Sequence, residues 1–364
     1  MSRSTIKEIN KRLIRRQWRK MPVADSFKPF YKGKVTLNHR KMECLKDSYK
    51  SSIWKLEIKA NEKSVPIILK ISKQLSKKRP ESEIEKNIYR KAPKVLQPFM
   101  PEIYVTKRNV NGHDLWAFME YIKPVKGQVK YTPDHFSNII PTLAKLHAST
   151  MGKQFTQHEH IFAGWLPRFD SKEMIQERIQ INKQTIVYLD QAMTVPTLKV
   201  LLKPYYSLLQ KLLNQGPEYF PEVSKAGMSI IHGDLHTANM ACHNVMEKEW
   251  KLKFIDWEGA KFAPCWFDLV NLIGVFLAYR REWKDEEEEI TRRSARLYAN
   301  EMRKNGVVFK TDPMKLYQMA YLKRILEKSL YLQLNWAVTG KKEAKLLPVL
   351  LEKIKVMGKQ LGLY

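Results

Sequence analysis

The sequence predicts an α+β protein. Residues 30–122 form a small, mostly antiparallel sheet with one helix, and residues 123–364 form a larger, mainly helical part. Two observations carry this. Short segments that alternate apolar and polar residues crowd the first third. Beyond "KPVKGQ" the apolar residues recur at helical spacing.

Residues 1–29 read as a basic helical extension. Ile6, Ile9, Leu13, Ile14 and Trp18 mark an apolar stripe, with Lys7, Lys11, Arg12, Arg15, Arg16, Arg19 and Lys20 between them. Such a helix has two possible hosts: an anionic surface or partner, or the body of its own protein with the basic face in water. Pro22 and Pro29 close it. "SSIWKLEIKA" and "VPIILKIS" then read as two strands of a hairpin joined by "NEKS". "RPESEIEKNIYRKAP" follows, with Ile84, Ile88 and Tyr89 on one helical face between Pro80 and Pro93. "EIYVTKRN" and "LWAFMEYI" are two further strands, with Asn111-Gly112 as the turn signal between them. The helical part holds "FSNIIPTLAKLHAST", "EMIQERIQINKQTIVYLDQAM" and "LKVLLKPYYSLLQKLLNQ". Strands and loops return at "MSIIHGDLHTANMACHNVMEKEWKLKFIDWEGAKFAP", and helices resume from Phe267.

Composition limits the class. At 364 residues and 44% hydrophobic, the chain suits about two globular domains rather than a disordered tail. Its longest apolar run, Leu269 to Tyr279, is 11 residues and contains Asn271, so no transmembrane segment is expected. The basic N-terminus lacks an apolar stretch, so no secretory signal is expected. Three widely spaced cysteines, Cys44, Cys242 and Cys265, exclude a disulfide scaffold and suit a reducing, cytoplasmic compartment. The net charge is +28, and residues 1–122 carry 29 Lys/Arg against 12 Asp/Glu. A field of that sign gathers anions and identifies none of them.

The chemistry concentrates in "IIHGDLHTANM" and "KFIDWEGA". Asp234 and Asn239 lie five apart, and Asp256 lies 22 beyond Asp234, a span that suits a hairpin. Two carboxylates and one carboxamide at strand ends suit Mg²⁺, which prefers oxygen ligands. Phosphoryl transfer needs little more than positioning and charge neutralisation around such a centre. His232 and His236 have the four-residue spacing of zinc ligands on a helix, but Gly233 is poor in a helix interior.

These segments resemble the aminoglycoside phosphotransferase and choline kinase superfamily, which shares the bilobal protein-kinase-like fold. "HGDLHTAN" is similar to its catalytic loop and "IDWE" to its metal-binding loop, and the resemblance runs over roughly 35–340. It implies a nucleotide-binding N-lobe over 30–122 and a catalytic, acceptor-binding C-lobe over 123–364. It implies ATP and Mg²⁺ as cofactors, and transfer of the γ-phosphate to a hydroxyl of a small-molecule acceptor such as a sugar or amino alcohol. Asp234 would be the base, and Asn239 and Asp256 would hold the metal. Lys70 would meet the α/β phosphates, paired with Glu85, with Glu83 as the alternative. The carbonyl of Glu120 and the amide of Ile122 would bind adenine beneath Met119. "LAKLHA" resembles a helix of the second lobe, and Asp268 a brace for the catalytic loop. Acceptor contacts would come from 155–225 and 266–364, which hold Trp165, Tyr188, Tyr205, Tyr206, Trp266, Tyr279, Trp283 and Trp336. The phosphate-covering segment "LKDSYKSSIWKLEI" has no glycine, which leaves Ser48, Ser51 and Ser52 as candidates. The glycine-free segment and basic leader keep a second reading open: a kinase-fold structural or binding protein, such as a spore-coat-associated member.

Overall fold

The computed structural model describes residues 9–61, 63–73, 80–108 and 114–364, and it divides into two compact units. The first takes Met1–Tyr131, His158–Trp165 and Thr237–Gly259; the second takes Thr132–Gln157, Leu166–His236 and Ala260–Tyr364. The expected Asn111-Gly112 turn, Ile6 and Lys7 lie outside the described residues.

The first unit is built on a five-stranded antiparallel sheet of order β1-β2-β3-β5-β4. Its strands are β1 (Val35–Asp47), β2 (Ser51–Ala60), β3 (Lys63–Ser72), β4 (Ile103–Arg108) and β5 (Leu115–Glu120). The β2–β3 hairpin closes with Ala60 opposite Lys63, as the two alternating segments predict. Strand parity then sorts the side chains, because successive residues point to opposite faces. Trp54 and Leu56 of β2, Leu69 and Ile71 of β3, and Trp116 and Phe118 of β5 are buried in one cluster. Lys70 stands in register with Ile53 and Ala117, so it belongs to the opposite face.

The basic leader covers the apolar face. Its helix spans Lys11–Lys20, and Asn10 caps it by accepting from the Leu13 amide at 2.9 Å. Ile14 is fully buried, and Trp18 packs edge-on against Phe118 at 5.6 Å between ring centroids. A single helical turn, Val23–Ser26, follows, and Phe27 then stacks near Tyr104 at 5.0 Å. Lys11, Arg12, Arg16, Arg19 and Lys20 remain exposed. Of the two hosts open to this helix, its apolar stripe takes its own sheet. Within 30–122 the expected helix stands at Pro80–Lys91, and a short helical turn at Pro93–Leu96 adds to it. A small ribbon, Met240–Cys242 paired with Leu252–Phe254, completes the unit. The Val125 amide joins the ribbon by donating to the Met240 carbonyl at 2.9 Å.

The second unit is mainly helical. Phe136–Ser149, Lys172–Thr194, Trp266–Tyr279, Glu287–Lys304, Pro313–Arg324, Leu330–Thr339 and Leu347–Gln360 surround a two-stranded ribbon of Met228–Ile231 and Lys261–Pro264. "LKVLLKPYYSLLQKLLNQ" is two helices rather than one continuous run, Pro196–Leu202 and Tyr206–Asn214. Pro204 stands between them and has no amide with which to continue the ladder. Of the aromatic residues named above, Trp266 is core, packed on Tyr298 and Phe309, whereas Tyr279 is exposed.

Candidate active site

In the first unit, Lys70 is the centre of a buried ionic group. Its Nζ donates to Glu85 Oε1 at 2.5 Å and to Asp256 Oδ1 at 2.9 Å. Tyr89, one helical turn beyond Glu85, donates its hydroxyl to the same Glu85 oxygen at 2.7 Å. Burial alone would lower the Lys70 ammonium; Glu85 and Asp256 outweigh it, and its pKa lies above the ordinary lysine value. Burial raises the Glu85 carboxyl, against the pull of Lys70. The partner of Lys70 is thus Glu85, while Glu83 pairs with Lys86.

Asp256 has φ of +67°, a left-handed backbone that non-glycine residues adopt at a cost. It follows the ribbon strand Leu252–Phe254, while Asn239 precedes the partner strand. The Ile255 amide donates to the Asn239 carbonyl at 2.9 Å, which fastens the two residues to one end of the ribbon. Asn239 is buried, and the Asp256 side chain is 37% exposed. Their oxygen donors fit a hard divalent cation. Among the described residues no group of three or more His, Cys, Asp or Glu side chains is placed to hold a metal.

The serine-rich turn between β1 and β2 is pinned from two sides. Ser48 Oγ accepts from the Ser51 amide at 3.1 Å and donates to the Ser51 carbonyl at 3.0 Å. Lys73, nearly buried at the end of β3, donates to Asp47 Oδ1 at 2.6 Å and to the Ser48 carbonyl at 2.7 Å. Lys50 reaches Glu258, just past Asp256, at 3.5 Å. Ser52 departs from the expectation that its hydroxyl faces phosphate. Strand parity turns it into the core, where it is fully buried and accepts from the Trp54 indole at 2.7 Å. Glu120 ends β5 and places its carboxylate 3.2 Å from His243, and Ile122 is buried just beyond.

In the second unit, the loop 232–236 leaves the strand Met228–Ile231 and turns at Gly233, whose φ is +80°. Asp268 holds that turn. Its two carboxylate oxygens accept from the His232 amide at 2.7 Å and the Gly233 amide at 2.8 Å. His147 lies 3.3 Å from the same carboxylate and, through its other ring nitrogen, 2.7 Å from the Tyr298 hydroxyl. Burial would raise the Asp268 carboxyl; the His147 hydrogen bond and charge, with the amides, hold it below the usual range. Asp234 projects from this braced loop with its side chain 56% exposed, 3.6 Å from His236 Nε2. A second tie reaches the loop from the other side: Asn271 donates to the Leu235 carbonyl at 3.1 Å, and Arg324 donates to Asn271 Oδ1 at 3.3 Å.

The structure thus brings Lys70, Glu85, Asp256 and Asn239 into the first unit and Asp234 into the second. Sequence reasoning missed Tyr89 as a partner of Glu85, Lys73 and Asp47 as the clamp on the serine turn, and Arg324 and Asn271 as supports of the loop. Only Tyr89 had a signal, its four-residue offset from Glu85.

The model of the phosphotransferase enzyme family matches residues 54–304 of this chain. No curated protein sequence matches it. Among solved structures, the chain is similar to the Plasmodium vivax ethanolamine kinase at 13% identity and a TM-score of 0.49, over 88% of this chain and 82% of that one. Similarity to the choline kinase of Cryptosporidium parvum has 11% identity and a TM-score of 0.49, over 88% and 89%. Similarity to spectinomycin phosphotransferase in complex with ADP and spectinomycin has 12% identity and a TM-score of 0.43, over 92% and 93%.

Proposed function

The chain belongs to the phosphotransferase enzyme family, and on that premise we propose that it is an ATP-dependent kinase with Asp234 as the base and Asn239 and Asp256 as the Mg²⁺ ligands. The observation that carries this reading is the buried pair Lys70–Glu85 bonded to the partly exposed Asp256, which is held in a left-handed backbone. A buried ammonium shared by two carboxylates is poised to exchange one of them for phosphate oxygens. Glu85, fixed by Tyr89, keeps Lys70 in place through that exchange.

The acceptor oxygen forms a bond to the γ-phosphorus, the bond from that phosphorus to the β–γ bridging oxygen breaks, and the hydroxyl proton passes to Asp234. ADP leaves with the bridging oxygen. Asp268 and Asn271 hold the loop that aims Asp234. Ser48 and Ser51, at the turn clamped by Lys73, would meet the phosphates in this reading by exchanging their mutual bonds for phosphate oxygens; we give Ser52 no such role. Mg²⁺, when bound, neutralises phosphate charge. Glu120 and Ile122 supply backbone groups to adenine in this reading.

The test is thermal protection. Mg-ATP at a hundredfold excess over Kd stabilises the protein by about 2.7 kcal/mol, and Asp256→Ala abolishes the shift. Asp234→Asn keeps the shift and lowers kcat by orders of magnitude once an acceptor is in hand. Absence of any shift in the wild type refutes the reading and favours a kinase-fold binding protein.

A further inference from the structure

We infer that Lys261, Arg324 and Lys328 form an anion-recognising subsite beside Asp234, so that the acceptor carries a carboxylate or phosphate in addition to its hydroxyl. This rests on the assignment of Asp234 as the base.

Position is the first ground. Lys261 pairs with Ile231 across the ribbon, and Ile231 lies three residues before Asp234 on the strand that delivers it. Arg324 is anchored by donating to the Phe267 carbonyl at 3.0 Å and to Asn271 at 3.3 Å. Asn271 in turn holds the carbonyl of Leu235, the residue next to Asp234. Lys328 follows Arg324 by four residues, on the same side of one helical run. That run widens to a π-helical turn over Ile325–Ser329. Such turns are rare and recur at functional sites.

Charge balance is the second ground. The buried Lys323 and Arg178 of this unit have carboxylate partners: Lys323 meets Glu327 at 2.9 Å, and Arg178 meets Glu218 at 2.9 Å. Among the described residues, neither Lys261, Arg324 nor Lys328 has a carboxylate within ion-pair distance. The nearby acids are engaged elsewhere, Asp268 by His147 and two amides and Glu327 by Lys323. Burial, then Arg324 and Lys328, push Lys261 down to about 8, while Asp268 and Glu327 pull it up and fall short. Asp268, Asp234 and Glu327 also act on Arg324, all from beyond ion-pair distance; like charges gathered without a directly paired carboxylate destabilise the fold, and an anion from solution offsets that cost. The only exposed carboxylate assigned to this loop is Asp234 itself, which the reaction needs free to take a proton.

The sources of the anion separate in one experiment. ATP consumption is measured with matched hydroxyl compounds: glucose, glucose 6-phosphate, gluconate and glucosamine, then glycerol, glycerol 3-phosphate and glycerate. Protein saturated with Mg²⁺ and a non-hydrolysable ATP analogue is also titrated calorimetrically with inorganic phosphate. Wild type is expected to bind phosphate and to prefer an anionic member at least tenfold in kcat/KM. Lys328→Glu, on an exposed side chain, reduces both at least tenfold with KM for ATP unchanged, and Lys328→Arg restores them. Preference for a neutral or cationic member overturns the inference. So does a rise in KM for ATP alone, which assigns the cations to the donor. Where no compound turns over, the phosphate titration decides: no binding by loaded wild type, or equal binding by Lys328→Glu, overturns it. Failure of the base and metal assignment shows separately, as absence of thermal protection by Mg-ATP.

Discussion

Lys261→Met separates the stability cost of this cation cluster from its function. The ammonium of Lys261 is pushed from 10.5 down to about 8, first by burial and then by Arg324 and Lys328. Each unit of that displacement corresponds to about 1.4 kcal/mol. Residual exposure of the side chain reduces the total to roughly 1–3 kcal/mol. The sign follows from proton counting. Below pH 8 the lysine is charged in both folded and unfolded chains, so the full cost is present. Between 8 and 10.5 the folded protein binds fewer protons than the unfolded one, and stability attributable to this group rises with pH. Above 10.5 the cost is gone. Methionine keeps most of the apolar stem and removes the charge. At pH 7 the variant is therefore more stable than wild type by that amount in urea unfolding. The gain shrinks by pH 10 and is also reduced when both proteins are saturated with inorganic phosphate. A variant equal to or less stable than wild type at pH 7 refutes the reasoning, as does a gain of the same size at pH 10.

Asp268→Asn leaves His147 and the two loop amides without their buried carboxylate, at about 3–5 kcal/mol. Because the Asp268 pKa is lowered, its stabilisation is present above the usual carboxylate range and lost as pH falls through the folded value, so the gap to wild type narrows in acid urea titrations. Trp18→Ala costs about 3–5 kcal/mol by emptying the aromatic cluster under the sheet, whereas Arg16→Glu on the exposed face changes urea stability by less than about 0.5 kcal/mol. Lys73→Met frees the serine turn from Asp47 and the Ser48 carbonyl; KM for ATP rises several-fold in steady-state assays while kcat changes less. An unchanged KM would make that clamp purely structural.

The difference between what the sequence revealed and what it hid follows from the range of each interaction. Period-two alternation encodes which face a side chain takes, so the sheet strands, the β2–β3 hairpin and the separation of Lys70 from the apolar core are legible from residues 50–120 alone. The same parity rule, applied to Ser52, places it on the face of Trp54 and Leu56, and its burial follows from that alternation. The leader helix was legible as amphipathic but not as to host, because an apolar stripe records that a surface is covered and leaves the cover unnamed. The interruption at Pro204 was equally visible and needed only the missing amide to be given its weight.

Of the supports of Asp234, Asp268 was expected by resemblance alone, and the others were not legible, because each crosses a long stretch of chain. Asp268 reaches back 36 residues to His232, Arg324 reaches 53 to Asn271, and His147 reaches 151 to Tyr298. No local period encodes such contacts. Yet all of them converge on one short loop between a strand and a turn. A loop that needed only to connect two elements would have no use for a buried carboxylate, two helix-borne donors and a histidine. The density of long-range polar ties around 232–236 is itself an argument that the position of Asp234, rather than its mere presence, is what the second unit is built to hold.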